Sequence, residues 1–138
     1  MKILAFDVGK KNGCAVSNNG KILESIHFVF RSHKQYYDAL CRIIDQCKPE
    51  VIVTAKPNRF YNTIFSHAQY ISLIQLVAEQ RGISAFLLLD SEIKSWAFPK
   101  QKKVTKQEVI GKYGGATEDE ADARMMALFG DAKIVTKK

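Results

Sequence analysis

Alternating side chains in the first thirty residues constrain the fold more than any other feature of the chain. Residues 2–8 and 21–30 repeat with a period of two, which predicts β-strands, and residues 13–17 fit a third strand between them. Asn-Asn-Gly at residues 18–20 supplies the left-handed conformations that a tight hairpin needs. The chain is therefore predicted to begin with an antiparallel three-stranded meander.

Beyond residue 30, helical spacing alternates with short apolar runs. Residues 36–47 and 61–81 carry apolar side chains at helical intervals, and Pro49 and Gly82 are suitable helix stops. Residues 51–55 form a β-branched run typical of a strand covered on both faces, and residues 84–89 predict another buried strand. Strands joined by helices predict parallel pairing, and hence a mixed five-stranded sheet.

The last third of the chain predicts further helices. Residues 90–104 are mixed and lysine-rich, with no clear element. Thr105 with Glu108, and Thr117 with Glu120, have capping-box spacing, so each pair predicts a helix start. The second helix should end near residue 129, before a frayed basic tail. The predicted order is β-β-β-α-β-α-β-α: a single α/β domain over residues 1–138, with a mixed five-stranded sheet and helices on both of its faces.

Composition narrows the class of protein. With 46% hydrophobic and 25% charged residues among 138, the chain resembles an ordinary globular domain. It has no apolar run long enough to span a membrane. Its three cysteines lack metal-ligand spacing and are expected to be reduced core thiols. We expect a cytoplasmic protein, or a viral or phage protein acting inside the host cell. The net charge of +7 favours polyanionic partners.

Three aspartates suggest metal chemistry. Asp7 lies near the end of the first predicted strand, and Asp119 and Asp122 are three residues apart, hence on one face of the final helix. A turn aspartate and a helix-dipole partner are the structural explanations for Asp7 and Asp119. Phosphodiester hydrolysis requires Mg²⁺ held by carboxylate oxygens, often as a pair of ions. A strand-end aspartate facing the other two would form such a cage.

These residues belong to motifs that resemble the RuvC family of Holliday junction resolvases, within the RNase H-like superfamily. The matching pieces, which with the element order cover nearly the whole chain, are Ile3-Leu4-Ala5-Phe6-Asp7-Val8-Gly9 with Gly13-Cys14-Ala15-Val16, then Lys48-Pro49-Glu50-Val51-Ile52-Val53, then Asp119-Glu120-Ala121-Asp122-Ala123. The resemblance implies a homodimeric endonuclease of DNA recombination and repair that cleaves four-way DNA junctions. It also implies two Mg²⁺ ions per active site, with Mn²⁺ as a substitute, and makes Asp7, Asp119 and Asp122 three of four metal ligands.

The fourth catalytic position departs from the family pattern. Family spacing from Pro49 places a glutamate at position 55, where this chain has Ala55, and Thr54 points to the opposite face of the strand. A Glu→Ala change is what an experimenter makes to trap uncut substrate, so Ala55 is interpreted as engineered. A naturally degenerate, binding-only protein is the competing interpretation. Either way, the sequence predicts impaired cleavage.

A basic segment precedes the final helix. Five lysines lie in residues 92–106 with Trp96 and Phe98 between them: Lys94, Lys100, Lys102, Lys103 and Lys106. A solvated face is the structural explanation, but the segment would border the metal site, where lysines hold DNA phosphates. In the resemblance, Lys94 and Lys106 match lysines that contact DNA near the scissile phosphate.

Residues before the long predicted helix are further DNA candidates. Lys10 and Lys11 could contact phosphate, and Arg59 lies beside Phe60 and Tyr61, either of which could wedge between bases. A hydrophobic staple for the helix is the alternative. The resemblance implies dimerisation through the helix, but an amphipathic core helix would have a similar pattern. The candidate interface positions are Phe65, Gln69, Ser72 and Leu76.

Three other functions fit parts of the sequence. A YqgF-like nuclease acting on RNA would share the fold, and a junction-binding protein without catalysis would explain Ala55. A phosphate-binding fragment of the sugar-kinase and actin class also carries an Asp-x-Gly turn on its first strand. That class uses two such domains, whereas 138 residues hold one, so this alternative is disfavoured.

Overall fold

The computed structural model describes residues 1–8, 12–56 and 61–136. For residues 61–66 and 135–136 it describes the backbone alone. The elements are β1 (Lys2–Asp7), β2 (Asn12–Asn18), β3 (Lys21–Phe28), α1 (His33–Cys47), β4 (Val51–Ala55), α2 (Tyr61–Gln80), β5 (Ser84–Leu88), α3 (Asp90–Ala97), α4 (Lys106–Tyr113) and α5 (Glu118–Thr136). No helix in these ranges is both long enough and apolar enough to cross a bilayer.

The five strands form one sheet in the order β3-β2-β1-β4-β5. β1, β2 and β3 pair antiparallel, whereas β4 pairs parallel with both β1 and β5. The predicted meander and the predicted parallel strands are therefore confirmed. Because β1 and β4 run in the same direction, their carboxyl ends meet at one edge of the sheet.

Helices cover both faces of this sheet, as predicted. Ile3, Ala5 and Val53 face a core formed with α3, α4 and α5. Leu4, Phe6 and Ile52, the alternate residues, face a second core formed with α1 and α2. The period of two in β1 therefore assigns each side chain to one of the two helical layers.

α5 lies unusually close to the sheet because glycines stand at the points of contact. A Cβ atom on Gly13, in β2, would overlap the backbone carbonyl of Asp119 in the first turn of α5. A Cβ on Gly130, in α5, would lie 3.1 Å from a methyl group of Val53 in β4. Because glycine has no side chain, Gly13 allows the backbones of β2 and α5 to touch, and Gly130 leaves room between α5 and the side chain of Val53.

Three sequence predictions need correction. The strand predicted to be buried, β5, is an edge strand whose Phe86 and Leu87 are 44% and 37% exposed, since an apolar run alone does not fix how many faces are covered. Residues 90–97, without a predicted element, form α3. The tail predicted to fray continues α5 to Thr136, with Asp131 buried.

We predict that Gly13→Ala lowers the free energy of unfolding by about 1–3 kcal/mol, because the added methyl group must displace α5 from the sheet. Gly111→Ala in α4 is the matched control: its Cβ would have nothing within 4 Å, and alanine should stabilise the helix by up to about 1 kcal/mol. Urea denaturation of both variants measures the difference. Equal effects would mean that α5 does not depend on the glycine contact.

Candidate active site

Asp7 is placed beside α5 by two independent contacts. It ends β1 on the face that Ile3 and Ala5 present to α5, and it pairs across the sheet with Gly13. The first turn of α5 rests on Gly13. The Asp7 carboxyl group is therefore held at the sheet edge where α5 begins, next to the turn that carries Asp119.

The electrostatics of Asp7 identify its neighbours. Its pKa is raised well above the usual value, first by burial and then by the charges of Asp122, Asp119, Asp90 and Glu118. The pKa of Asp122 is raised to about 6 by burial and by the charge of Glu118, with smaller contributions from Asp90 and Asp119. Lys94 acts in the opposite direction and lowers it. The charges of four other carboxyl groups thus act on Asp7, and three of these four also act on Asp122.

The donor chemistry of this cluster suits a hard divalent cation, which prefers carboxylate oxygens. The carboxyl groups are further apart than the ligands of a bound metal ion. Within the described ranges, no three acidic, histidine or cysteine side chains are close enough to hold one ion. Carboxylates of like charge repel one another at short range, and a cation would reverse the sign of that interaction. The cluster therefore fits a divalent ion in charge and ligand type, and its carboxyl groups would have to move inward to bind it.

Ala55 lies next to Asp7 in the sheet. β1 and β4 pair in register up to Phe6 and Thr54, so the following residues, Asp7 and Ala55, are neighbours at the strand ends. Thr54 points to the other face and donates a hydrogen bond to the carbonyl oxygen of Phe6 at 3.0 Å, whereas Ala55 packs on the α5 side. A longer acidic side chain at position 55 would extend along this edge, where the chain has a methyl group.

Two carboxylates of the cluster, Asp90 and Glu118, are absent from the sequence-based candidates. Asp90 begins α3 directly after β5, and its carboxylate is 2.9 Å from the ammonium group of Lys94. Glu118 begins α5 and lies 3.2 Å from Lys106. An acid after an apolar strand was a usable signal for Asp90, since the same signal identifies Asp7.

The predicted DNA-contacting lysines divide into two groups. Lys94 and Lys106 belong to the ion pairs with Asp90 and Glu118 and so lie at the carboxylate cluster. The other three lie exposed in the segment between α3 and α4: Lys100, Lys102 and Lys103. The structure therefore joins two of the five lysines to the candidate active site.

Other predicted contacts fall outside what the structure describes. Lys10, Lys11, Arg59 and Phe60 lie outside the described residues, as do the side chains of Tyr61 and Phe65. The remaining candidate interface positions on α2 are all exposed, and Leu76 is 45% exposed: Gln69, Ser72 and Leu76. Gln69 contacts the ring of His33 in α1 at 2.8 Å.

Several solved structures with a similar arrangement of strands and helices are Holliday junction resolvases. Thermus thermophilus RuvC, solved in complex with a Holliday junction substrate, aligns over 99% of this chain and 96% of its own with 15% identity and a TM-score of 0.80. The fold is that of RuvC. Fowlpox virus resolvase, solved with Holliday junction DNA, aligns over 98% of this chain and 99% of its own (14% identity, TM-score 0.65). The yeast mitochondrial Holliday junction resolvase Ydc2 aligns over 97% and 80% (16%, 0.57).

Comparisons of the amino-acid sequence found no match. No family model matches the chain, and no curated protein matches it. At identities of 14–16%, what the RuvC-like structures share with this chain is the mixed five-stranded RNase H-like fold.

We predict that Asp122→Asn stabilises the metal-free protein at high pH. Because the pKa of Asp122 is about 6 in the fold and near 3.9 in an unfolded chain, the folded state binds the proton more tightly. Stability should therefore fall as the pH rises from about 4 to 6 and then level off. Asparagine removes this loss, so in EDTA at pH 8 the Tm should rise by roughly 2–4 °C.

Thermal melts of the wild type and the variant across pH 4–8 measure this effect. Asp38→Asn is the charge-matched control, since Asp38 is exposed on α1 and paired with Lys34. A Tm at pH 8 that falls in Asp122→Asn, or that rises equally in the control, would contradict the raised pKa of Asp122 in the folded protein.

Proposed function

We propose that this protein binds four-way DNA junctions and cleaves them by metal-dependent phosphodiester hydrolysis. The observation that carries the proposal is the electrostatic effect of Asp119 and Asp122 on Asp7, which ends β1 beside the first turn of α5, in a fold shared with resolvases solved on junction DNA. Carboxyl groups whose pKa is raised by burial and by neighbouring negative charge, as for Asp7 and Asp122, are costly to a fold, and such groups concentrate at functional sites.

Asp7, Asp119 and Asp122 would hold Mg²⁺, or Mn²⁺ in its place, as a pair of ions. When bound, the ions supply positive charge for the phosphate oxygens and an activated water. The protein's own contribution is to position the carboxylates: β1 fixes Asp7, and the contact of α5 with Gly13 fixes the turn of Asp119. Asp122 is placed one turn further along α5, on the same face.

Lysines around the cluster suit the DNA backbone. Lys94 and Lys106 already lie at the carboxylates, so a phosphate entering the site would meet both charges. Exposed ion pairs of this kind contribute little to stability and exchange partners readily. Together with Lys100, Lys102 and Lys103, they would give DNA affinity that falls steeply with salt.

A twofold dimer would match the substrate. A four-way junction presents two symmetric strands, so two active sites on one face of a dimer would cut both. The exposed side chains of Gln69, Ser72 and Leu76 leave one surface of α2 open for a second copy, which supports dimerisation through this helix.

Ala55 supports a second candidate function, a junction-binding protein that does not cleave. Without a carboxylate at position 55, three aspartates would hold the ions less tightly than four. We propose that cleavage persists at a reduced rate, as a catalytically impaired resolvase. Cleavage of RNA in place of branched DNA, as in a YqgF-like nuclease, is a distinct outcome of the same assay.

We predict that the protein binds a synthetic four-way junction roughly tenfold or more tightly than a linear duplex of equal charge. Gel shifts in EDTA over a range of salt concentrations measure the preference. Equal affinities for the junction and the duplex would indicate a protein that binds polyanions without structural preference, and would contradict the proposal.

The same junction, incubated with Mg²⁺, should be nicked slowly, and Asp7→Asn should reduce nicking by roughly 100-fold or more while leaving the gel shift intact. Asp38→Asn again removes one carboxylate at a distance from the site and should change neither readout. Undiminished cleavage by Asp7→Asn, or preferential cleavage of RNA, would exclude the proposed reaction.

A further inference from the structure

The edge strand β5 leads into an acidic residue, Asp90, at the sheet edge where position 55 lacks a carboxylate. β4 and β5 run parallel, and Ala55 pairs with Leu88, the last residue of β5. Both side chains pack toward the α5 layer, and Asp90 follows Leu88 by two residues. The chain therefore places Asp90 at the same sheet edge as Asp7 and Ala55, one strand beyond the gap.

We propose that Asp90 supplies the fourth carboxylate of the metal site, in partial replacement of the glutamate expected at position 55. This inference rests on the proposed function, since it assigns a further ligand to the same site. The ligand set would then comprise one aspartate from β1, one from the start of α3, and two from α5.

The first turn of a helix is also an ordinary place for an acid, because negative charge there interacts favourably with the helix dipole. Glu92 has that role in the same turn, and it faces a cleft lined by Trp96, Phe129 and Lys133. Asp90 does not line that cleft: it follows β5 at the sheet edge where β1 and β4 also end, and it pairs with Lys94 at 2.9 Å. The charge of Asp90 also acts on Asp7 and Asp122. The two acids of α3 therefore face different surroundings, and Asp90 is the one at the sheet edge of the carboxylate cluster.

Lys94 makes the exchange of partners physically simple. The ammonium group of Lys94 lies 2.9 Å from the carboxylate of Asp90, as an i,i+4 ion pair on α3. The side chains of Lys94 and Asp90 are 40% and 31% exposed. Because both side chains are partly exposed, the ion pair contributes little to stability and can be broken. A bound divalent ion would take over the neutralisation of Asp90, and the released Lys94 would be free to meet a DNA phosphate.

Partial replacement is expected because Asp90 reaches the site from the next strand. An aspartate is shorter than a glutamate, and Asp90 must also give up its pair with Lys94. Restoring a glutamate at position 55 should therefore strengthen metal binding and make Asp90 less important. That dependence of one residue on the other is a property that a purely structural role for Asp90 would not produce.

Isothermal titration calorimetry of Mn²⁺ binding to the full chain without DNA tests the assignment. Asp90→Asn should weaken binding by roughly 10- to 100-fold, and the matched control Glu92→Gln, which removes the other acid of the same helix turn, should stay within about twofold of the wild type. Ala55→Glu should tighten binding. In the Ala55→Glu background, Asp90→Asn should cost less than about threefold.

Asp7→Asn separates failure of the inference from failure of the site. If Asp7→Asn abolishes binding and Asp90→Asn does not weaken it, Asp90 is not a ligand and the proposed metal site stands. If neither changes binding, the site itself is wrong. Thermal melts in EDTA establish that each variant folds, and Asp90→Ser, which keeps a good helix-start residue, replaces Asp90→Asn should the latter unfold. Equal losses from Asp90→Asn with and without Ala55→Glu would also overturn the inference.

Discussion

The contact between α5 and the sheet is the constraint on which the rest of the structure depends. Gly13 in β2 allows the first turn of α5 to touch the strand backbone, and Gly130 repeats the close approach near the other end of the helix. Because Gly13 pairs with Asp7, the point of closest approach is also the point where acidic residues from β1 and α5 meet. The packing of α5 against the sheet therefore positions the acidic residues of the candidate active site.

This arrangement sets stability against function. The chain has a net charge of +7, yet it gathers acidic groups where burial and mutual repulsion raise the pKa values of Asp7 and Asp122. The surrounding lysines offset part of that repulsion through exposed ion pairs that can be exchanged. In the proposed function, a divalent cation would neutralise the carboxylates and a DNA phosphate would neutralise the lysines.

Much of the fold follows from local sequence patterns, whereas part of the site depends on strand register. Alternation in β1 and the glycine-containing turn predict the meander, and the spacing of Asp119 and Asp122 places them on one helix face. The sequence does not predict the exposure of β5, because central strands and edge strands can have the same run of apolar residues. Asp90 was missed because its nearness to Asp7 arises from two parallel pairings, through β4, that no short window contains.

If the proposed function is right, carboxylates from β1 and α5 converge on a divalent cation. A crystal structure of the protein soaked in Mn²⁺, with anomalous scattering to locate the metal, would show this convergence. We expect an anomalous peak at about 2.0–2.3 Å from carboxylate oxygens of both Asp7 and Asp122. Full Mn²⁺ occupancy elsewhere on the protein, with these two side chains still apart, would contradict it.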